Sequence, residues 1–347
     1  MTRTVDFRYT VTRNGADLTT ITPVEGGEPV LRCDDSAEIH MSLAGEFVPN
    51  AQVNWLTDRI RPEIIIDGEA TALGTYLPAS VEDTEGTSAR TLSIEAYDPC
   101  WLLQDCKTED MVFFRSGLSY VAAAEQLLTA AGIALVSSTP SALTLPEDKA
   151  DWEIGTPYLT IINELLAEIN YKPVWFNAAG MAVLEPITEP DAEHIQHVID
   201  AMDPECLVLP GITKTTDIYS APNVIIVVCE NPDKDGDPLV SKIENRNPSS
   251  PLSIQARGRR IVKYEKIRGI ASQAELDNYA QHLMLETMLA GETAQIQTAL
   301  RPGWGVRDIT AVNYGDFQAI CVEHAWEMEL RVGGAMRHTL ERIVAQV

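Results

Sequence analysis

Residues 152–186 read WEIGTPYLTIINELLAEINYKPVWFNAAGMAVLEP, and this stretch predicts a short helix followed directly by two strands. Thr156 and Pro157 predict the N-cap and the first helical residue. Strands 174–176 and 181–184 flank the turn 177–180, where a glycine suits a positive φ. The apolar stripe of the helix, at amphipathic spacing, comprises Leu159, Ile162, Leu165, Leu166 and Ile169. Because the stretch carries no nucleophile, phosphate loop or metal-binding box, it predicts a structural unit.

The composition is that of a globular protein with an unusual charge. The chain has 347 residues, 45% hydrophobic and 22% charged, which is enough for two or three domains. Its 26 Lys and Arg against 51 Asp and Glu give a net charge of −25. Since nucleic-acid binding rewards cations that neutralise phosphates, this charge argues against a stable nucleic-acid partner. An acidic surface that only keeps the protein soluble explains the charge equally well.

The cysteines and the N-terminus indicate the compartment in which the chain is made. No CxxC pair occurs, so the cysteines predict buried reduced thiols, with a metal or redox role as the minor alternative. They are Cys33, Cys100, Cys106, Cys206, Cys229 and Cys321. The N-terminus, MTRTVDFRYTV, has no apolar core of a signal peptide, and no run approaches 18 apolar residues. We therefore expect cytoplasmic synthesis and no membrane segment.

The order of predicted elements divides the chain into three domains. Residues 1–99 predict short antiparallel strands and residues 100–205 an α+β middle domain. Residues 206–347 return to strands, with one inserted helix capped by Ser272 and a long final hairpin turning at 332–334. The expected fold is α+β and mainly β, with two small antiparallel β-barrel-like domains flanking the middle domain.

One segment has spacing loosely like that of a metal site. Glu193, His194, His197 and Asp200 would lie within reach of one another on a helix. The segment lacks the HExxH order and a further ligand, so a solvated polar helix is the preferred interpretation.

A second segment resembles the start of a calcium loop. Asn231, Asp233 and Asp235 occupy ligand positions 1, 3 and 5, and Gly236 occupies position 6. Position 12, which should be a bidentate Glu, is Lys242. A plain hairpin loop is therefore the preferred interpretation, and we assign no metal ligands and no cofactor.

Hydrolytic chemistry has little support in the sequence. There is no GxSxG elbow, and the adjacent carboxylates Glu147/Asp148 and Asp151/Glu153 arise by chance in so acidic a chain. We therefore assign no catalytic residues and expect no enzyme.

Two groups of basic residues stand out against the acidic background. The cluster 255–260, QARGRR, predicts a salt-bridged contact with a neighbouring subunit rather than a nucleic-acid patch. Arg59 and Arg61 precede an apolar strand, and charges on an edge strand are preferred there over a ligand site.

The order of these units, with three quoted segments, resembles a known family. The segments are YDPCWLLQDCKTED at 97–110, the stretch 155–186, and YGDFQAICVEHAWEMEL at 314–330 followed by VGGAM. They resemble the baseplate hub protein of contractile phage tails, most closely hubs of defective prophages and phage-tail-like bacteriocins of Gram-positive bacteria. The resemblance covers nearly the whole chain.

The resemblance implies a non-enzymatic structural role. Hubs of this family form a homotrimeric ring, in which two similar β-domains per chain present six near-equivalent positions to the hexameric tail tube. The other face holds the central spike, and other baseplate proteins attach at the rim. The implied location is the host bacterial cytoplasm during assembly and afterwards the baseplate of the phage tail or tail-like particle. No catalytic residues belong to this pattern.

Two other functions and one use of the charge stay open at this stage. A tail-associated peptidoglycan hydrolase would need a catalytic pair, and a receptor-binding tail module would need exposed aromatic clusters, whereas aromatic residues make up 6% of the chain. If part of the negative charge lined the ring, it would repel nucleic acid over about 8 Å at physiological salt.

Overall fold

A computed structural model describes residues 3–86, 90–188, 190–215, 221–229, 238–267, 270, 272–289 and 292–342. Over these residues the protein is mainly β with a few helices, which confirms the predicted α+β class. None of the sheets that the described residues form closes into a barrel.

The N-terminal strands form hairpins around short glycine turns. The strands are β1 (Val5–Arg13), β2 (Ala16–Ile21), β3 (Val30–Asp34), β4 (Met41–Phe47), β5 (Arg59–Ile66), β6 (Glu69–Ala72), β7 (Leu77–Glu85) and β8 (Arg90–Tyr97). Four of them make a sheet in the order β2-β1-β5-β6. Asp67 and Gly68 join β5 to β6 with φ values of 50° and 88°, as a two-residue turn with positive φ at both positions requires.

The middle of the chain has its own apolar core. Its elements are α1 (Cys100–Asp105), α2 (Tyr120–Ala130), β9 (Val136–Ser138), α3 (Tyr158–Ala167), β10 (Trp175–Phe176) and β11 (Ala182–Leu184). All five residues of the predicted apolar stripe in 152–186 are buried in this core. The predicted turn is also present, and Gly180 has a φ of 75°. These residues confirm the helix and the hairpin.

The helix cap differs from the prediction by one residue. Pro157, not Thr156, is the N-cap of α3, and no side chain caps the helix there. The Thr156 hydroxyl instead donates to the carbonyl of Glu153 at 2.8 Å, so it closes the preceding turn.

The last part of the chain returns to strands. Its elements are β12 (His197–Asp200), β13 (Val208–Thr215), β14 (Val224–Cys229), β15 (Leu239–Glu244), α4 (Ile254–Arg257), β16 (Val262–Ile267), α5 (Gln273–Leu289), β17 (Thr293–Ala299), β18 (Ile309–Tyr314), β19 (Phe317–Glu329) and β20 (Ala335–Arg342). The predicted final hairpin is β19–β20, and its turn contains Gly333 with a φ of 76°.

Strands from both ends of the chain lie in one ten-stranded sheet. Its main order is β13-β17-β20-β19-β3-β4-β8-β7, and off this path β18 pairs with β19 and β12 pairs with β18. The two ends meet where β19 pairs with β3, between Ala325/Asp34 and Glu329/Val30. One apolar core spans strands of both ends. The domain boundaries at 99/100 and 205/206 stay a prediction.

A small sheet with one helix forms a separate unit. The strand order is β15-β14-β16, and α5 packs on one face of the sheet. The sequence predicts β14 to be buried on both faces, and this is wrong for Ile226 and Val228, which are half-buried. Both faces of β14 carry β-branched side chains, but α5 covers only one of the two faces.

Candidate functional site

The segment with metal-like spacing is a strand and not a polar helix. His197–Asp200 is β12, which pairs in parallel with β18. Within the described residues, no three of Glu193, His194, His197 and Asp200 place ligand atoms around one point. His194 Nδ1 lies 2.7 Å from Asp191, whereas His197 Nε2 lies 2.9 Å from Asp308 Oδ2. The helix prediction is wrong because pairing with β18, which local spacing does not encode, holds this segment extended.

The calcium-like segment cannot be placed. Asn231, Asp233, Asp235 and Gly236 lie outside the described residues. Lys242, at the position of the missing ligand, lies in β15 with its Nζ 2.9 Å from Glu244 Oε1.

The adjacent carboxylates mostly hold neighbouring loops together. Asp148 accepts a hydrogen bond from the Ser116 amide at 2.8 Å, and Glu147 lies exposed beside it. Asp151 and Glu153 line a cleft of about 560 Å³ together with Glu164 of α3 and Glu168 at its C-terminus. There the Trp152 Nε1 donates to Glu164 at 2.6 Å, and Lys149 pairs with Glu168. Glu164 and Glu168 therefore each make a structural contact within the chain.

The site that sequence reasoning missed is the loop 303–308, hereafter the junction loop, between β17 and β18. Its backbone has positive φ at two positions, 96° at Gly303, which glycine tolerates, and 57° at Arg307, where a side chain is strained. A Cβ on Gly305 would lie 3.1 Å from the ring of Trp175 and 3.1 Å from Asp308 Oδ1. A Cβ there would force the Trp175 ring or the Asp308 carboxylate to shift by a few tenths of an ångström, so glycine is favoured where the middle hairpin approaches this loop.

The junction loop contacts all three parts of the chain. The Gly305 carbonyl accepts a hydrogen bond from Trp326 Nε1 of β19 at 3.1 Å. The Val306 carbonyl accepts one from Lys172 Nζ of the middle part, also at 3.1 Å. Arg307 pairs with Asp35, which follows β3, at 2.9 Å. The loop thus fixes the middle core against the ten-stranded sheet.

Asp308 is the centre of hydrogen bonding in this loop. It is buried, and its Oδ2 accepts the Gly305 amide at 2.7 Å and lies 2.9 Å from His197 Nε2. Gln196 Nε2 donates to its Oδ1 at 3.3 Å. Trp304 stacks on His197 with ring centroids 3.8 Å apart. Asp308 therefore ties β12 to the loop, a role that an isolated GVRD sequence does not reveal.

Three buried polar side chains beside the junction loop are arranged like a catalytic triad, as hydroxyl, imidazole and carboxylate. His338 Nε2 lies 3.0 Å from Thr298 Oγ1, and His338 Nδ1 lies 3.2 Å from Glu323 Oε2. The Thr298 hydroxyl donates its proton to the Ala299 carbonyl at 3.0 Å, so it accepts from the imidazole. All three side chains are buried, and burial raises the pKa of Glu323. This geometry satisfies polar groups within the core and does not present a nucleophile to solvent.

The described residues bring three candidate ligands together at Asp34, Asp35 and His324. The His324 ring donates to Asp35, and this hydrogen bond raises the pKa of His324 to about 9. A metal would have to displace the proton of His324, whose pKa is raised, and Asp35 already pairs with Arg307. The group is therefore an ion-pair network that joins β3 to β19.

This network makes stability depend on pH. Because the folded pKa of His324 is raised from 6.5 to about 9, its stabilisation is complete below about pH 6.5 and is lost as the pH rises through 9. We expect His324→Gln to lower the free energy of unfolding by on the order of 2–3 kcal/mol at pH 6. The difference from wild type should vanish near pH 10. Urea unfolding of both proteins at the two pH values measures it, and a constant difference would contradict the assignment.

The two groups of basic residues have different surroundings. In the cluster 255–260, Arg257 donates to the Ala221 carbonyl and Arg260 pairs with Glu244, which places the cluster at one end of the small sheet. Its contact with a neighbouring subunit stays a prediction. Arg61 pairs with Asp17 at 3.0 Å, and β5 lies between β1 and β6. The prediction of edge-strand charges at Arg59 and Arg61 is therefore wrong, because β1 pairs with this part of β5 on one side and the backbone bridge between Ile60 and Tyr76 covers the other.

The remaining predicted features concern thiols and membranes. All six cysteines are free, and all but the half-buried Cys106 are buried. In the part of the chain that the structure describes, no helix has both the length and the apolarity to span a membrane.

Comparison with known proteins gives matches at the level of structure. No protein-family model matches the sequence, and no curated protein matches it. The tail protein from Neisseria meningitidis MC58 has a TM-score of 0.69 and 14% identity, over 97% of each chain. The 43 kDa tail protein of prophage MuSo2 from Shewanella oneidensis has a TM-score of 0.68 and 10% identity, over 97% of this chain and 98% of that chain.

A third similar structure comes from a secretion system. It is an E. coli component of the type VI secretion system with structural similarity to the T4 bacteriophage tail proteins gp27 and gp5. Its TM-score is 0.55 at 8% identity, over 96% of this chain and 76% of that chain. Identities this low establish the fold alone. The chain therefore has the fold of phage tail proteins over nearly its whole length.

Proposed function

We propose that this protein is the structural hub of a contractile tail baseplate. Three copies form a ring that joins the hexameric tail tube to the central spike, and other baseplate proteins attach to the rim. The particle is a phage tail or a tail-like bacteriocin, and the hub resembles those of Gram-positive defective prophages. The chain assembles in the bacterial cytoplasm and acts as a non-enzymatic component of the particle.

The observation that carries this proposal is the shared sheet. The main path of the ten-stranded sheet takes four strands from the N-terminal part and four from the C-terminal part. A trimer built on this plan offers two β-units per chain, and hence six positions, to a hexameric tube. The full-length structural similarity to phage tail proteins supports the same assignment. The division at 1–99, 100–205 and 206–347 belongs to this proposal.

The junction loop suits a part that transmits load between a tube and a spike. Its contacts with Lys172, Asp35 and Trp326 resist movement of the middle core against the sheet. In this proposal, part of the acidic charge lines the lumen of the ring, where it repels nucleic acid. An outer rim that carried most of the acidic residues, around a neutral or basic channel, would remove that part of the proposal.

Electron microscopy of the assembled particle tests the proposal. We expect three-fold density for this chain between the tube and the spike. A zymogram on purified cell wall tests the competing hydrolase function, for which we expect no lysis. Lysis that is lost when Asp151 and Glu153 are replaced by Asn and Gln would favour the hydrolase.

A further inference from the structure

The outer face of the small sheet is apolar and open. In the register of the sheet, Ile226 of β14 is paired with Tyr264 of β16, and Val228 with Val240 of β15. Paired residues share a face, so these four side chains lie together, opposite the face on which α5 packs. Within the described residues, Val240 is 52% exposed and Tyr264 55% exposed. Val262, on the same face, is 50% exposed.

The strands β15 and β16 and the segment between them have a local excess of positive charge. Residues 239–267 contain seven Lys or Arg against two Asp or Glu, in a protein of net charge −25. Both acidic residues are engaged within the chain: Glu244 pairs with Lys242, Arg246 and Arg260, and Glu265 accepts the Tyr279 hydroxyl. Basic residues therefore surround the open apolar face. The rest of the chain has a net charge more negative than the −25 of the whole protein.

We propose that this face, defined by Val240, Val262 and Tyr264, binds an acidic surface of a second copy of this chain. The inference rests on the proposed ring and names the surface through which its subunits meet. Charge complementarity selects the occupant, because every copy offers one basic apolar face and an acidic remainder. Two such faces repel each other, so the contact is head-to-tail rather than face-to-face. A head-to-tail contact closes into a ring when its rotation permits.

Nucleic acid is the less favourable occupant of this face. A net charge of −25 disfavours the approach of a polyanion. The centre of the face is apolar and β-branched, whereas nucleic-acid sites depend on cations that contact phosphates. A fluorescent single-stranded oligonucleotide should therefore not bind to the protein at physiological salt.

Substitutions on the two edge strands of the small sheet test the proposal. Val262→Glu and Val240→Glu place a negative charge on the face without entering a core, and Val332→Glu is the matched control at a 70% exposed position in the β19–β20 turn. We expect each face variant to weaken self-association at least about tenfold, because the new carboxylate would face the acidic surface of the other copy. The control should associate like wild type. Light scattering measures the mass of the 38.1 kDa chain and its oligomer, and circular dichroism checks folding.

The outcomes separate this inference from the proposed function. If both face variants trimerise like wild type, the ring stands and this surface is not its contact. If wild type is monomeric at every concentration tested, both the ring and the inference are wrong. Oligonucleotide binding that is lost in the variants, with association unchanged, would assign the face to nucleic acid.

Zero-length crosslinking identifies the partner surface directly. A carbodiimide joins a lysine to a carboxylate in contact with it, and mixed ¹⁵N and ¹⁴N chains distinguish links between copies. We expect links from Lys242 and Lys266 of one copy, which the register places on the open face, to Asp or Glu of the other. If links from these lysines occur only within one chain while the trimer forms, the inference is overturned.

Discussion

Leu165→Asp is expected to prevent the protein from folding. Leu165 is fully buried in α3, at the centre of the core of the middle part. The substitution removes the apolar contacts of the leucine and buries a carboxylate for which the core offers no partner. Such a change costs several kcal/mol, which is comparable with the whole free energy of unfolding of many proteins. Soluble yield, circular dichroism and light scattering measure the effect.

The control for Leu165→Asp lies two residues away on the same helix. Ala167 is exposed, so Ala167→Asp adds the same charge near the end of α3 without entering the core. It should cost no more than about 1 kcal/mol, from an acidic residue at a helix C-terminus. Soluble, native-like Leu165→Asp protein would mean that the middle core does not hold the molecule together.

Asp308→Ala is expected to loosen the junction loop and lower the free energy of unfolding by about 2–4 kcal/mol, because each buried donor left without its acceptor costs about 1–3 kcal/mol. The substitution leaves the Gly305 amide and the His197 ring without their acceptor inside the protein. Trp304 stacks on His197, so its fluorescence should change along with stability. Urea unfolding followed by tryptophan fluorescence measures both effects.

Two further variants give Asp308→Ala its reference points. Asp308→Asn keeps one acceptor oxygen and should retain part of the stability. Asp316→Ala removes an exposed carboxylate from the β18–β19 turn and should change the free energy of unfolding by less than about 0.5 kcal/mol. If Asp308→Ala were as stable as Asp316→Ala, the junction loop would not fix the parts of the chain together.

The middle of the chain was predictable because its signals are local. The stripe from Leu159 to Ile169 has helical spacing over three turns, and Gly180 sits where the turn needs a positive φ. Patterns of this kind depend on neighbours within about four residues. The prediction that Thr156 is the N-cap was wrong because its hydroxyl donates to the carbonyl of Glu153 in the preceding turn and does not cap the helix.

The large sheet and the junction loop could not be predicted because their contacts are distant in sequence. The pairing of Asp34 with Ala325, and the bond from Lys172 to Val306, join segments that no periodicity connects. The spacing of His197 and Asp200 is compatible with a helix as well as with a strand. Pairing with β18 makes this segment a strand. The charges of β5 were misassigned for the same reason, since the backbone bridge between Ile60 and Tyr76 covers that edge.

The central claim is that three copies of this chain join the tube to the spike. Cryo-electron microscopy of the particle, with a tag in an exposed turn such as that of Asn14 and Gly15, tests it most directly. The account predicts three tags around the tail axis, at the level where the tube ends and the spike begins. Tags at the tip of a fibre, or in six or more copies along the tube, would contradict it.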